Sequence, residues 1–299
     1  MLLYIVGHKG WIGQMFASYC INSGLNVTYS DVRGESNELL QDIIDKRATH
    51  VFCCMGRTHG TTTDGTVYTT IDYLQNAETF QQNINDNLYV PLRLADFCES
   101  RGIHYTYLGT GCIYNYDTNN HPDPFTEDDT PNFFGSNYSI VKGYTNNLMN
   151  SKKNALHLRI RMPITSEKNP RNFITKITSY SKICSIPNSM SVLDELIPIA
   201  VCMMRESVTG SYNFTNPGVI EHNEILNMYR DIVDPSFQWS NFSIDEQDTV
   251  LLSKRSNNYL DTTKLCRVVT TLRMKYPHII LNTIDDAVRN VLIQYRDNL

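Results

Sequence analysis

Tyr138 and Lys142 stand four residues apart. On a helix that spacing puts both side chains on one face. An ammonium beside a phenol favours the phenolate and lowers a pKa that is about 10 when unperturbed. A tyrosine tuned in this way can give a proton to a carbonyl oxygen as hydride reaches the carbon. Thr110 closes the run Tyr107-Leu108-Gly109-Thr110 and is placed to hydrogen-bond the same oxygen. A YxxxK pair also occurs by chance on surface helices, so its surroundings must give it meaning. They begin at Gly7-His8-Lys9-Gly10-Trp11-Ile12-Gly13, a GxxGxxG segment. Its glycines let backbone approach a pyrophosphate, and a helix starting behind them turns N–H groups toward the negative charge. Gly7, Gly10, Trp11, Ile12 and Gly13 are therefore candidate dinucleotide contacts, provided the segment joins a strand to a helix.

That context is present. Residues 2–6 form an apolar run that ends at Gly7, and residues 11–20 carry apolar side chains at helical spacing. The spacing predicts strand, tight turn and helix. Further strands are expected over 25–29, 49–54, 103–108 and 155–161, the last after a helix that begins near Tyr138. Leu88, Leu92 and Ala95 share a helical face, and Pro91 within it implies a kink or a late helix start. Strands alternating with helices predict an α/β fold, a Rossmann-like doubly wound parallel sheet. Thr110 then falls at the carboxyl edge of a strand, where such sheets bind ligands. Residues 1–164 are expected to form this nucleotide-binding domain and residues 165–299 a smaller C-terminal substrate-binding domain. A strand near 210–216 is expected to return to the large sheet. Arg33, just past the second strand, could pair with a 2′-phosphate, whereas Asp31 could hold a free 2′-hydroxyl. The two readings oppose each other and favour NADPH only slightly over NADH.

Composition narrows the partners. The 299 residues include 26 Lys and Arg against 31 Asp and Glu, for a net charge of −5. With no basic stripe, a nucleic-acid partner is not expected. No apolar run approaches the ~20 residues that a bilayer span needs, so no membrane is expected either. Eight cysteines are scattered without a CxxC pair, and the first strand runs into the glycine segment with no secretory signal before it. Reduced thiols in a cytoplasmic protein are the expectation. The eight histidines show no HxxxH or Cys/His spacing suited to zinc, so no metal is expected.

The glycine segment, Thr110 and the YxxxK pair, in this order, resemble the extended short-chain dehydrogenase/reductase family. Longer blocks narrow the resemblance: Thr110-Gly111-Cys112-Ile113, Arg159-Ile160-Arg161-Met162-Pro163, Asn169-Pro170-Arg171-Asn172-Phe173-Ile174-Thr175-Lys176, Ile186-Pro187-Asn188-Ser189-Met190 and Arg255-Ser256-Asn257-Asn258. They are similar to the bifunctional UDP-4-keto-6-deoxyglucose 3,5-epimerase/4-keto reductases that complete UDP-L-rhamnose synthesis. The resemblance implies that Cys112 and Lys176 are an epimerase acid/base pair, that Asn87 supports the active site, and that Arg161, Asn172, Asn188 and Arg255 contact the nucleotide sugar. If the segment after Thr110 stays extended, Thr110 and Cys112 point the same way. The run from Cys53 to His59 and the Thr-rich loop 61–70 depart from the family pattern, which leaves cofactor contacts there open.

The expected substrate is UDP-4-keto-6-deoxyglucose, and the expected cofactor is NADPH, with NADH as the alternative. Because the chain starts at the glycine segment, the 4,6-dehydratase of the pathway would be a separate protein. A homodimer is a further expectation. Rival readings are a GDP-L-fucose synthase-like enzyme, a plain dTDP-4-dehydrorhamnose reductase with no need for Cys112 and Lys176, and a non-catalytic reductase-like regulatory subunit. An acidic chain that binds two anionic ligands must concentrate its cations, with Lys9, Arg33, Arg161 and Arg255 as the expected places.

Overall fold

The computed structural model describes every residue except Thr118, Asn120 and Leu299. Six strands form the central sheet: β1 (Leu2–Val6), β2 (Asn26–Thr28), β3 (His50–Cys53), β4 (His104–Thr110), β5 (Ala155–Ile160) and β6 (Gly210–Asn213). They lie in the order β6-β5-β4-β3-β1-β2, and all neighbours are parallel. Parallel strands need crossover connections, and helices supply them while covering both faces. This burial explains why β5 has all six of its residues buried.

The helices are α1 (Trp11–Asn22), α2 (Asn37–Asp45), α3 (Phe80–Ile84), α4 (Val90–Arg101), α5 (Asn137–Met149) and α6 (Phe173–Ile177), followed by α7 (Leu193–Arg205), α8 (His222–Ile232), α9 (Ile244–Val250), α10 (Thr263–Arg273) and α11 (Ile284–Asp297). One face of the sheet packs against α1, α7 and α10 through Phe16, Leu196, Met203 and Leu265, with Phe16 stacked on Phe52 at 3.9 Å. The other face packs against α2, α4 and α5 through Leu39, Leu94 and Met149. Residues on both sides of position 165 thus build the sheet core, because α7, β6 and α10 all return to it. A separate apolar cluster joins Ile174, Ile183, Ile225 and Leu292 from α6, α8, α11 and the segment between α6 and α7.

Pro91 lies in the first turn of α4, where a missing N–H costs nothing. The late start expected of it is not observed, because the chain is helical without a break from α3 into α4. Before it, residues Asn85–Tyr89 form a π-helical turn that buries Asp86 and Asn87. The chain leaves β1 toward β2 on one side and β3 on the other. A crevice therefore opens beyond the carboxyl ends of these strands, where the loops after β1, β3 and β4 converge.

Candidate active site

The crevice is a cleft of about 1460 Å³. At its sheet end, Gly7 takes φ +94°, and a Cβ there would come within 3.0 Å of the Met55 nitrogen. A Cβ on Gly13 would stand 2.3 Å from the Gly7 oxygen, so α1 packs directly onto the turn. Gly10 caps α1 without a side-chain hydrogen bond, which leaves first-turn N–H groups for a ligand. Gly10, Trp11, Ile12 and Gly13 line the cleft, and the buried Trp11 Nε1–H has no partner among the described residues. A pyrophosphate fits these donors. Gly7 shapes the turn and is not part of the lining. Lys9 pairs with Asp31 at 2.9 Å, and His8 approaches the same carboxylate at 3.4 Å. Arg33 stands outside the cleft lining, 86% exposed and 3.7 Å from Glu35.

At the middle of the cleft, the Ser136 hydroxyl accepts from the Ser139 N–H at 3.0 Å and starts α5. Tyr138 and Lys142 then share its cleft face, both buried. The expected lowering of the phenol pKa is not observed. Burial, then the neighbouring Cys112, push Tyr138 well above the usual tyrosine value, and a Thr110 hydrogen bond opposes them only in part. The ammonium lies 5.8 Å from the Tyr138 ring centre and instead donates to the Tyr107 hydroxyl at 2.7 Å. Burial lowers Lys142 itself to about 8, against the raising effects of Cys53, Asp86 and Cys112. Tyr138 is thus protonated at neutral pH, the form that a proton donor requires.

The chain does not stay extended past Thr110. The chain turns, and the Cys112 N–H donates to Thr110 Oγ1 at 3.1 Å. Both side chains face the cleft all the same, joined from the far wall by Lys176 of α6. Burial, then Arg171 and Arg255, push the Lys176 ammonium below the ordinary lysine value.

Three residues expected to contact the substrate have polar atoms held by the fold itself. Arg161 is buried, and its donors all point into protein: Nε to Ser189 O, Nη1 to Ser256 Oγ and Gly111 O, Nη2 to Asn188 Oδ1 and Ser256 O. A guanidinium has five N–H groups, and all five are engaged here, although Arg161 is part of the cleft lining. Asn188 is the partner that holds it, at 2.7 Å. Asn172 caps α6 and donates to Thr165 O and Glu167 O. Each is fully buried, and buried polar atoms must find partners within the fold. Arg255 lines the cleft, but Asp72 holds it with contacts of 2.8 and 3.2 Å. Asn87, also fully buried, clamps the loop after β3 by donating to Arg57 O at 3.0 Å and accepting from Arg57 N at 3.1 Å.

Sequence reasoning missed Tyr107, His59, Asp72 and Arg171. Arg171 was legible as a cation within the Asn169–Lys176 block. It lies against the His59 ring, and burial, then Arg171, Arg57 and Lys176, push that histidine down to about 4. His59 is therefore neutral.

A doubly wound parallel sheet whose first strand ends in a glycine turn, with Thr110, Tyr138 and Lys142 gathered beyond its carboxyl edge, is the architecture of the extended short-chain dehydrogenases/reductases. The model of the NAD dependent epimerase/dehydratase family matches residues 3–167, and the chain belongs to that family. It is 44% identical over 267 residues to the bifunctional dTDP-4-dehydrorhamnose 3,5-epimerase/dTDP-4-dehydrorhamnose reductase of Arabidopsis thaliana, covering 87% of this chain and 85% of that protein. A trifunctional UDP-glucose 4,6-dehydratase/UDP-4-keto-6-deoxy-D-glucose 3,5-epimerase/UDP-4-keto-L-rhamnose-reductase of the same plant is 41% identical over 297 residues, 97% of this chain but 41% of that longer protein. The crystal structure of the L780 UDP-rhamnose synthase from Acanthamoeba polyphaga mimivirus superposes with a TM-score of 0.89 at 46% identity, covering 98% of this chain and 99% of that one.

Proposed function

We propose that the protein inverts C3 and C5 of UDP-4-keto-6-deoxy-D-glucose and then reduces C4 with NADPH, forming UDP-L-rhamnose. The carrying observation is that Cys112 and Lys176 line the same cleft as Thr110, Tyr138 and Lys142. Epimerase-type and reductase-type groups can thus reach one bound sugar. Its likeness to epimerase/reductases over nearly the whole chain supports the same reading.

Thr110 and Tyr138 hold the C4 oxygen. The protons on C3 and C5 flank that carbonyl, so their loss places negative charge on the same oxygen, where two hydroxyl donors stabilise it. Inversion needs one group to take a proton and another to return one from the opposite face. Cys112, from the turn after β4, and Lys176, from α6, divide that work. Lowering its pKa brings Lys176 closer to being an effective base near neutrality. Tyr138 then protonates the C4 oxygen during reduction, and Lys142 supports the charge that the phenol acquires. A nicotinamide dinucleotide seated on the α1 turn supplies the hydride.

NADPH is proposed over NADH because Lys9 and Arg33 both lie near the end of β2. Asp31 pulls the other way, so turnover with the two cofactors should be compared side by side. The keto sugar is proposed to come from a 4,6-dehydratase, the working location is proposed to be the cytoplasm, and the assembly a homodimer. Exposed Tyr144 and Leu148 on α5 offer apolar surface for self-association, which sedimentation tests. The deciding assay incubates folded protein with UDP-4-keto-6-deoxyglucose and NADPH. UDP-L-rhamnose is the expected product, and its absence overturns the proposal. A GDP-linked keto sugar run in parallel distinguishes the fucose-type reaction.

A further inference from the structure

Tyr107 lies within β4, three residues before Thr110, and is almost wholly buried. In register it faces Cys53 on β3 and His157 on β5. Its ring stacks on the His157 ring with centroids 5.4 Å apart. Burial holds His157 well below and Tyr107 well above their ordinary values, so both are neutral. A neutral hydroxyl inside a sheet must find a partner. Tyr107 finds the Lys142 ammonium, which donates to it at 2.7 Å and sits 5.1 Å from its ring centre. Among the described residues this is the hydrogen bond that Lys142 makes.

The other groups facing the ammonium are Tyr138 on α5 itself, Cys53 on β3, Asp86 on the π turn, Cys112 after β4 and His157 on β5. Tyr107 therefore fixes where the cation rests beside the Tyr138 ring. We infer that Tyr107 is a positioning residue for the reduction, acting through Lys142. The inference rests on the proposed function; Cys112 faces the same ammonium but makes no hydrogen bond with it among the described residues, and Lys176 is not one of the groups around it.

The test removes a single oxygen. In ligand-free protein labelled with 15N-lysine, Tyr107→Phe is expected to lower the Lys142 titration by about one pH unit, because the charged form loses its acceptor. Reduction should fall about tenfold in kcat/KM, and its alkaline limb should move to lower pH. Deuterium entry at C3 and C5 should stay within about twofold of the wild type, which a general loss of structure would not allow. An unchanged Lys142 titration overturns the inference, as does a parallel loss of exchange and reduction. If Tyr107→Phe does not fold, 3,5-difluorotyrosine at position 107 keeps the shape, weakens the acceptor and should shift Lys142 the same way. Wild-type protein that neither exchanges nor reduces the keto sugar would remove the proposed function. The Lys142 titration would then still decide whether Tyr107 positions the ammonium.

Discussion

Cys112 and Tyr138 serve different halves of the proposed chemistry, and single substitutions should separate them. In deuterated water, Cys112→Ala should suppress deuterium entry at the epimerised carbons, as read by NMR of the sugar. Tyr138→Phe should slow reduction by roughly 10²–10⁴-fold and, with Thr110 still donating to the C4 oxygen, slow that exchange far less. Because Lys142 titrates near 8, reduction should hold below that pH and decline above it as the ammonium is lost. A pH profile of C4 reduction checks this. Thr110, Tyr138 and Lys142 were legible because their relation is local, one strand end and one i, i+4 pair. The partner of Lys142 was not, since Tyr107 meets it only once β4 and α5 have packed. Arg161, Asn172 and Asn188 show the opposite limit. Their polar chemistry was read from the sequence, but full burial turns it inward.

At the level of elements, the glycine turn is set by contact. Gly13→Ala would place a methyl group 2.3 Å from the Gly7 oxygen and force α1 away from β1. A loss of about 1–3 kcal/mol in stability is expected, measured by urea denaturation, with weaker dinucleotide binding. A second link spans the cleft mouth. Asp72, in the turn before α3, receives the Ser253 N–H and hydroxyl as well as both Arg255 contacts. Burial works to raise its carboxyl, but the bonds from Arg255, Ser253 and Thr70 prevail and hold it below the ordinary value. Its folded pKa is thus depressed, so its stabilisation is present above about pH 4 and is lost as pH falls through the folded value. Asp72→Asn should free the 253–255 segment at neutral pH, read as faster amide exchange of Ser253. Sequence patterning marked the strands, α1, α4 and α5. It missed the π turn, whose shape is set by burial of Asp86 and Asn87 and not by any repeat.

Across the whole molecule, the mild negative charge is reconciled with anionic ligands by pairing. Lys9, Arg57 and Arg255 each hold a carboxylate. Arg171 is one of the cleft cations without one among the described residues, which makes it available to a nucleotide phosphate. The α/β class and the parallel sheet were readable from alternation alone. The return of β6 to the sheet was readable too, but the covering of that sheet by α7 and α10 was not, because which helix covers which face depends on contacts far apart in sequence. That covering bears on how the molecule can be divided. A fragment ending at residue 164 would keep β1 to β5 but lack α7, β6 and α10. Leu3, Phe16, Phe52 and Leu158 would then face water on one side of the sheet. Such a fragment is expected to be insoluble or molten, binding dye and showing no cooperative melt. Limited proteolysis of the intact chain should accordingly release no autonomous nucleotide-binding piece, so the second half of the chain serves the first as a folding partner as well as a wall of the cleft.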